Sequence, residues 1–553
     1  MQLNPSFLAE PRKLVFISAV TEESAIPSLV KVTWSSSFCR SLMLHAASMR
    51  LQSIGVSSGF SRVYFGVSRK ASLALLAGAF VVSRILAFAA GVRFDMEPLD
   101  NYWQFIDPAL LRNDFWRSIF YLHHQPPVFN MFLGAILHLF PSRPAIGFHW
   151  TFLVLGFVLP LCLFELMERM GIDRWIAFVI ALAFTLSPST ILYENLLFYE
   201  YPLTVLLAIA ALFLHRFASE GRIRDGFVFF SSLALVAGIR TVYHLVWFVL
   251  ILISVFWFRP QWRRQVAFAA ALPAVLLGAF YLKHLIVFHG FTPGSRIYSN
   301  VNLTQMITLR VPKDDIEKLI QEGKITPLLK DDIYTLGDDF DKDPSESEMS
   351  KIVPVPPKTG IPILDDCIKS TTAFNWNCMW AENAAEMYRR DAMVVFRNYP
   401  GGYFRSLGIG LQIYFWPDTD GWPMDGREDV PNALVLAEPL DLWDLITSGE
   451  WDDSQPWLAY FGLPGLLLFG LFGVWRSVAK KTVSDASNLT LAFMVLNAVY
   501  LSVVIIVLAP ADQNRYRSEV SAYFAVLLGL ALQMVSTRVS RRHAEACATN
   551  PTV

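Results

Sequence analysis

Ten apolar runs separated by short polar connections are the feature that most constrains the fold of this chain. A helix needs roughly 20 apolar residues to cross the hydrocarbon core of a bilayer. The runs span 72–91, 146–167, 174–190, 201–216, 226–240, 243–258, 265–287, 456–475, 487–509 and 517–536. The composition agrees, because 54% of the 553 residues are apolar and only 17% are charged. The sequence therefore predicts an all-α polytopic membrane protein with about ten transmembrane helices.

Lysine and arginine in the connections predict how these helices are oriented. Six connections are basic, and an arrangement of ten spans puts all of them on one side: 68–70, 168–174, 215–225, 258–264, 475–481 and 536–543. Cytoplasmic loops are enriched in such residues, so both termini are predicted to be cytoplasmic. The outer face then receives the remaining connections: 92–145, 191–200, 241–242, 288–455 and 510–516.

The short apolar run 128–140 is predicted to be an outer juxtamembrane helix. It has only 13 residues, and as an eleventh span it would reverse every later loop. The predicted organisation is then an N-terminal extension (1–70), a transmembrane core (71–290) with a first outer loop (92–145), a large mixed outer segment (288–455), C-terminal membrane helices (456–540) and a cytoplasmic tail (541–553).

Two polar regions of this plan carry further predictions. Residues 1–70 contain eight basic and three acidic residues and no export-signal pattern, so they are predicted to be mostly disordered. In the outer segment, periodicity predicts a helix over 380–400. Cys367 and Cys378 are the cysteines of this segment, and the sequence is compatible with either a disulfide or two thiols.

Four carboxylates follow the first apolar run in the stretch FDMEPLDNYWQFID, residues 94–107. Pro98 suits the first turn of a helix and Pro108 would end it, so Asp100 and Asp107 are predicted to share one helical face. The helix dipole would keep Asp100 ionised. A second polar group, YLHHQPP at 121–127, adds His123 and His124 at the same membrane level. A solvated, capped helix would explain any single acid, whereas the whole cluster favours a functional site.

Other charged residues lie at the predicted outer ends of the apolar runs. Glu200 is the first candidate among them and Glu194 the second, since a carboxylate at the membrane edge is a functional hypothesis by default. Arginines there suit a lipid phosphate, which they bind bidentately. For Arg515 and Arg517, ion pairing with Asp512 or Glu519 is the alternative to binding a phosphate. The cationic candidates are Arg240 with His244, the pair Arg515 and Arg517, and, more weakly, Arg84.

The acidic stretch, the tyrosines beside it and the H-x-P-P-V-F element at 124–129 resemble the C-superfamily membrane glycosyltransferases. That group includes protein O-mannosyltransferases, aminoarabinose transferases acting on lipid A and rhizobial lipopolysaccharide galacturonosyltransferases. The resemblance covers residues 72–290 and, more loosely, 456–536. It implies transfer of a sugar from a polyprenyl or dolichyl phosphate to a glycan, lipid or protein acceptor. The membrane would be a bacterial inner membrane or the endoplasmic reticulum, with the active face non-cytoplasmic.

The resemblance also implies roles for individual residues. LDNYW (99–103) takes the place of the family's acidic pair, which makes Asp100 the catalytic base and Glu200 a second catalytic candidate. Asn101 replaces the second acid of the pair, so a divalent metal is possible but not expected, and no other cofactor is implied. The predicted substrate-binding residues are Asp95, Glu97, Tyr102, His123, His124, Arg240, His244, Arg515 and Arg517.

Other functions are weighed against this one. The sequence contains no nucleotide-binding or metalloprotease motif and no basic footprint for nucleic acid. A transporter or lipid flippase is the main rival, because buried charges also line transport pathways. Transporters often consist of two related halves, and no internal repeat is apparent here. A non-catalytic membrane scaffold that presents the outer segment is the third reading.

Overall fold

The computed structural model describes residues 68–292, 294, 296–330, 348–419, 431–448 and 457–549. Helices make up the regular secondary structure of these residues. The same residues contain no strand, only two isolated β-bridges, so the predicted all-α class is confirmed there. The chain divides into two compact units, 1–71 and 72–553, and the second contains every site discussed below. The predicted disorder of 1–70 falls, except for 68–70, outside the described residues.

The helices are numbered in chain order. They are α1 (Arg69–Ala90), α2 (Glu97–Asn101), α3 (Pro108–Asn113), α4 (Phe115–Tyr121), α5 (Val128–Leu139), α6 (Pro144–Arg169), α7 (Arg174–Leu186), α8 (Pro188–Glu194), α9 (Glu200–Glu220), α10 (Ile223–Ile239), α11 (Leu245–Phe258), α12 (Arg263–Phe288), α13 (Ile297–Thr308), α14 (Lys313–Gln321), α15 (Pro362–Asp365), α16 (Met379–Asn398), α17 (Gly401–Tyr414), α18 (Pro431–Val435), α19 (Ala437–Ser448), α20 (Trp457–Ala479), α21 (Ala486–Leu508), α22 (Gln513–Ser518) and α23 (Ser521–Thr549).

Seven of these helices are long and apolar enough to cross a membrane, counted over the described residues: α1, α6, α9, α12, α20, α21 and α23. The bent pair α7 and α8 makes an eighth if it is one broken span. The predicted spans 226–240 and 243–258 correspond to α10 and α11, which have only 17 and 14 residues. Several membrane-spanning helices are therefore present, but the predicted count of ten is not confirmed.

Large apolar side chains cover the outward surfaces of these helices. Ile85 on α1 is 61% exposed, and Phe461 on α20 is 72% exposed. A contiguous apolar surface of this kind is rare on soluble monomers, whereas the hydrocarbon of a bilayer covers it without cost. The exposed pattern therefore agrees with an integral membrane protein.

The bend between α7 and α8 has a local cause. Pro188 lies at the start of α8, and the residue before a proline is disfavoured in helical conformation. Ser187 is accordingly extended, and its hydroxyl accepts a hydrogen bond from the Thr190 N–H as an N-cap. The two helices meet at 55°, which carries Glu194 inward at the end of α8.

Arg84 and Glu194 join the first span to this bent pair through a largely buried ion pair. Arg84 Nε and Nη2 lie 2.9 and 2.7 Å from the two carboxylate oxygens of Glu194. The Tyr201 hydroxyl donates to the same carboxylate at 3.1 Å. Gly156 makes room for it, because a Cβ there would lie 2.1 Å from Glu194 Oε2. Arg84 and Glu194, which were both predicted as functional candidates, thus form an ion pair with each other.

The outer segment has small apolar cores of its own. α13 packs against α16, the helix predicted over 380–400, which is confirmed with bounds Met379–Asn398. Cys367 and Cys378 form a disulfide inside one of these cores, which settles the alternative that the sequence left open. Trp103 packs against both this core and the main transmembrane core. The segment is therefore anchored directly to the stretch that carries the four carboxylates.

Replacing Glu194 by Gln should cost about 3–5 kcal/mol of unfolding free energy, because Arg84 would remain buried without a charged partner. The double variant Arg84→Met/Glu194→Met should lose less than either single variant. Equilibrium unfolding in detergent measures this difference. Glu168→Gln is the control, since its partner Arg174 is 47% exposed and the pair should contribute under about 1 kcal/mol. Equal losses in the control and in Glu194→Gln would contradict the prediction.

Candidate functional site

Four charged side chains meet at one end of the bundle, and we call them the charge cluster: Glu200, Arg240, Arg515 and Glu519. Glu200 begins α9, Arg240 follows α10, Arg515 lies on α22 and Glu519 follows it. Arg240 Nη1 lies 3.1 Å from Glu200 Oε1 and forms a second ion pair with Glu519. Arg515 Nε lies 3.6 Å from Glu200 Oε1. Two arginines and two carboxylates therefore balance their charges in a buried position.

Aromatic side chains enclose the charge cluster. The Arg240 guanidinium lies 4.5 Å from the ring centre of Tyr199 and 4.2 Å from that of Tyr516. Such cation–π contacts stabilise a desolvated cation by about 2 kcal/mol. The Tyr243 hydroxyl donates to Glu519 Oε2 at 2.8 Å. Arg240 is thus fixed in position by charge and by packing together.

A small cavity of about 10 Å³ adjoins Arg240, which is roughly the space that one water molecule needs. It joins four separate parts of the sequence: the acidic stretch, the YLHHQPP element, the residue before α9 and the end of α10. Gln125 Nε2 donates to the Gln104 carbonyl at 2.7 Å and so links two of its walls. The lining residues are Gln104, His124, Gln125, Tyr199, Ile239, Arg240 and Thr241.

The acidic stretch differs from the single helix predicted for it. α2 ends at Asn101, and Pro108 begins the next helix instead of ending the first. The residue before a proline avoids the helical region, and Asp107 caps α3 by accepting from the Ala109 N–H at 2.8 Å. The prediction that Asp100 and Asp107 share one helical face is therefore wrong.

The carboxylates of this stretch have separate environments. Asp95 pairs through its backbone with Asn195 and Leu197, and its side chain accepts from the Glu97 N–H. Burial raises its pKa above the usual value. Glu97 is exposed and accepts from the Asn101 side chain.

Asp100, the predicted base, lies at the exposed edge of the site. Burial raises its pKa, while the charges of Lys369 and Arg112 oppose that shift. Lys369 belongs to the outer segment and Arg112 to α3, and no contact joins the Asp100 carboxylate to the charge cluster among the described residues.

Tyr102 is the member of this stretch that reaches the charge cluster. Its hydroxyl lies 2.9 Å from the hydroxyl of Tyr199, whose ring packs on Arg240. The sequence singled out Tyr102 only for its place beside Asp100. Tyr199 was harder to identify as a site residue from the sequence, because tyrosines at span ends are common in the aromatic belts of membrane proteins.

The two histidines of YLHHQPP are buried and neutral at pH 7. Burial lowers the pKa of His123 to about 4 and that of His124 to about 3. His123 Nε2 lies 2.8 Å from the Asn377 carbonyl, and the His124 ring stacks on Trp376. They offer hydrogen bonds and a flat surface, but no positive charge for a phosphate.

The remaining predicted cations take structural positions. His244 caps α11, since its Nδ1 accepts from the Val246 N–H at 3.1 Å. Arg517 donates to the Tyr414 carbonyl and is buried. Arg515 also lies 4.0 Å from Asp512, which is the ion pair expected as the alternative to a phosphate role. Arg240 and Arg515 enter the charge cluster, and Arg517 and His244 do not.

Lys369 is a buried cation that the sequence did not single out. Its ammonium donates to the Tyr102 carbonyl at 2.7 Å, and the charges of Asp107 and Asp100 act on it. Burial nevertheless lowers its pKa to about 7. It is the one basic residue between Cys367 and Cys378, which was the only available signal.

No group of three metal-ligating side chains comes together among the described residues. Comparison with protein-family models, with curated proteins and with solved structures identifies no match to this chain. The geometry of the site and the chemistry of its residues are therefore the basis for a functional proposal.

The stability of the protein should rise between pH 7 and about 10 because of Lys369. The unfolded chain keeps the lysine proton up to the ordinary pKa of 10.5, whereas the folded chain releases it near pH 7. Stability then increases with pH by at most about 1.4 kcal/mol per unit from this group. Denaturant unfolding in detergent over this range should show the slope in the wild type and not in Lys369→Met. Parallel profiles would contradict the assigned pKa.

Proposed function

We propose that this protein is an integral-membrane glycosyltransferase that uses a polyprenyl or dolichyl phosphate sugar. The observation that carries the proposal is the buried arginine pair of the charge cluster beside the cavity. The cluster joins the ends of α9, α10 and α22, while Tyr102 and His124 connect it to the acidic stretch and to YLHHQPP. These are the elements on which the resemblance to C-superfamily enzymes rests.

Arg240 and Arg515 are the proposed ligands of the donor phosphate. Arg240 lines the cavity, and Arg515 lies 3.6 Å from the Glu200 carboxylate and 4.0 Å from that of Asp512. The negative charge on the phosphate grows as the sugar leaves, so fixed cations stabilise the transition state more than the ground state. Glu200 and Glu519 keep the arginines oriented before the donor arrives. Glu200 is thus assigned an indirect role, because it orients the arginines that bind the growing negative charge of the phosphate.

Asp100 is proposed as the general base for the acceptor. The acceptor hydroxyl would give its proton to Asp100 while its oxygen forms a bond to the anomeric carbon. The bond from that carbon to the phosphate oxygen breaks, and its electron pair leaves on the polyprenyl phosphate. The activated phosphate ester supplies the driving force, so no nucleotide is consumed. An exposed carboxylate suits an acceptor that arrives from outside the membrane.

The proposal includes ten spans and an outer active face. α10 and α11 are about 26 and 21 Å long, so short flanking segments would complete their crossing of a core about 30 Å thick. The basic connections then stay cytoplasmic, and the segment 288–455 lies outside. A disulfide in that segment is typical of an oxidising compartment. A bacterial inner membrane and the endoplasmic reticulum both meet this description, with a glycan, lipid or protein as the acceptor and with no nucleic-acid partner.

Asp100→Asn should lower kcat for sugar transfer by about 10² to 10⁴ if the carboxylate is the base. The assay uses purified protein in detergent or liposomes with a set of polyprenyl-phosphate sugars and hydroxyl acceptors. Asp114→Asn is the matched control, because Asp114 lies on the same outer loop without a side-chain cap bond and should retain wild-type activity.

Two results would contradict parts of this assignment. Full activity in Asp100→Asn would remove it as the base while leaving the enzyme class intact. A wild-type protein that transfers no sugar but moves labelled lipid phosphate across liposomes would favour the flippase instead.

The proposed topology predicts which introduced cysteines react from outside the cell. In a background without Cys39 and Cys547, Lys358→Cys should react with a membrane-impermeant maleimide in intact cells. Arg224→Cys should react only after permeabilisation. Both positions are exposed in the structure, so accessibility within the protein is matched. Labelling of Arg224→Cys in intact cells would reject the orientation.

A further inference from the structure

The loop from Cys367 to Cys378 is bound to both walls of the cavity region. The disulfide closes it over a sequence separation of 11 residues, and both cysteines are buried. Asn375 holds its base, because its N–H donates to the Cys367 carbonyl at 2.7 Å and its side chain donates to the Ile363 and Asp366 carbonyls. The loop therefore has a defined shape of its own before its outer contacts are considered.

One side of the loop is bonded to the acidic stretch. Lys369 donates to the Tyr102 carbonyl at 2.7 Å, as described above. The Ser370 N–H and hydroxyl each donate to the Asp107 carboxylate at 2.6 Å. The Thr371 hydroxyl donates to the Asp100 carbonyl at 2.8 Å. Three consecutive residues thus bind the stretch that carries the proposed base, two of them through its backbone carbonyls and Ser370 through the Asp107 side chain.

The other side of the loop is bonded to YLHHQPP. The carbonyl of Asn377 lies 2.8 Å from His123 Nε2, and its side-chain oxygen accepts from the His124 N–H at 3.3 Å. The Trp376 ring stacks on His124 and packs beside Trp103. His124 itself lines the cavity.

We propose that this disulfide-closed loop is a positioning element that holds the acidic stretch and YLHHQPP in register. Lys369 and Asn377 are its two attachment residues. Gln125 and Gln104 add a direct hydrogen bond between the two segments. Reduction of the disulfide would release both walls, which makes the site sensitive to redox state. The effect on catalysis rests on the proposed function, whereas the effect on local structure does not.

Hydrogen–deuterium exchange of the full-length protein in detergent tests the structural claim. Lys369→Met should raise exchange about tenfold in peptides covering 100–107 and leave those covering 121–127 nearly unchanged. Asn377→Ala should do the reverse. Reduction of folded wild type, or the variant Cys367→Ser/Cys378→Ser, should affect both. Glu386→Gln is the control, because Glu386 pairs with arginines of its own helix and touches neither wall.

The outcomes separate a positioning role from general destabilisation. A uniform rise that includes α21 would contradict the proposal, and so would unchanged exchange in both walls after reduction. If the proposed function holds, Asn377→Ala should lower kcat by about tenfold to a hundredfold with a smaller change in donor KM, since it misplaces the cavity wall. Wall-specific exchange in a protein without transferase activity would support the loop and reject the enzyme.

Discussion

The ion pairs of Arg240 with Glu200 and Glu519 are the interaction on which the functional end of the bundle depends. Charges removed from water are tolerated only when they are paired and hydrogen-bonded. Pairing here requires the start of α9, the end of α10 and the residue after α22 to reach the same depth. Tyr199 and Tyr516 then pack on the guanidinium faces. One electrostatic requirement therefore sets where three distant elements meet.

The outer segment extends this arrangement away from the membrane. Its disulfide loop binds backbone groups of the acidic stretch and of YLHHQPP, while Trp103 packs into both the outer and the transmembrane core. The loop contacts are mostly hydrogen bonds to backbone atoms, so they hold conformation more than they recognise particular side chains. Under the proposed function, acceptor choice would fall to other exposed residues of the outer segment, which can vary without disturbing the site.

Individual residues show how far the sequence carried the site. Arg240, Arg515 and Glu200 were identified because charges at the edges of apolar runs are expensive, and the structure brings them together. Asp100 and Asp107 were placed on one helical face, and that was wrong because Asp107 precedes a proline and caps the next helix. Lys369 and Asn377 were missed, since the position of Lys369 between the two cysteines was a weak signal and nothing in the local sequence distinguishes Asn377 from ordinary loop residues.

The sequence by itself determined the helical class, the presence of several membrane-spanning helices and the approximate position of most helices. Those properties follow from apolar length and periodicity, which act locally along the chain. Tertiary structure decided which charges are neighbours, which histidines stay neutral and whether the two cysteines pair. Such properties depend on burial and on contacts between residues hundreds of positions apart, such as Arg240 and Glu519, and no local pattern records them.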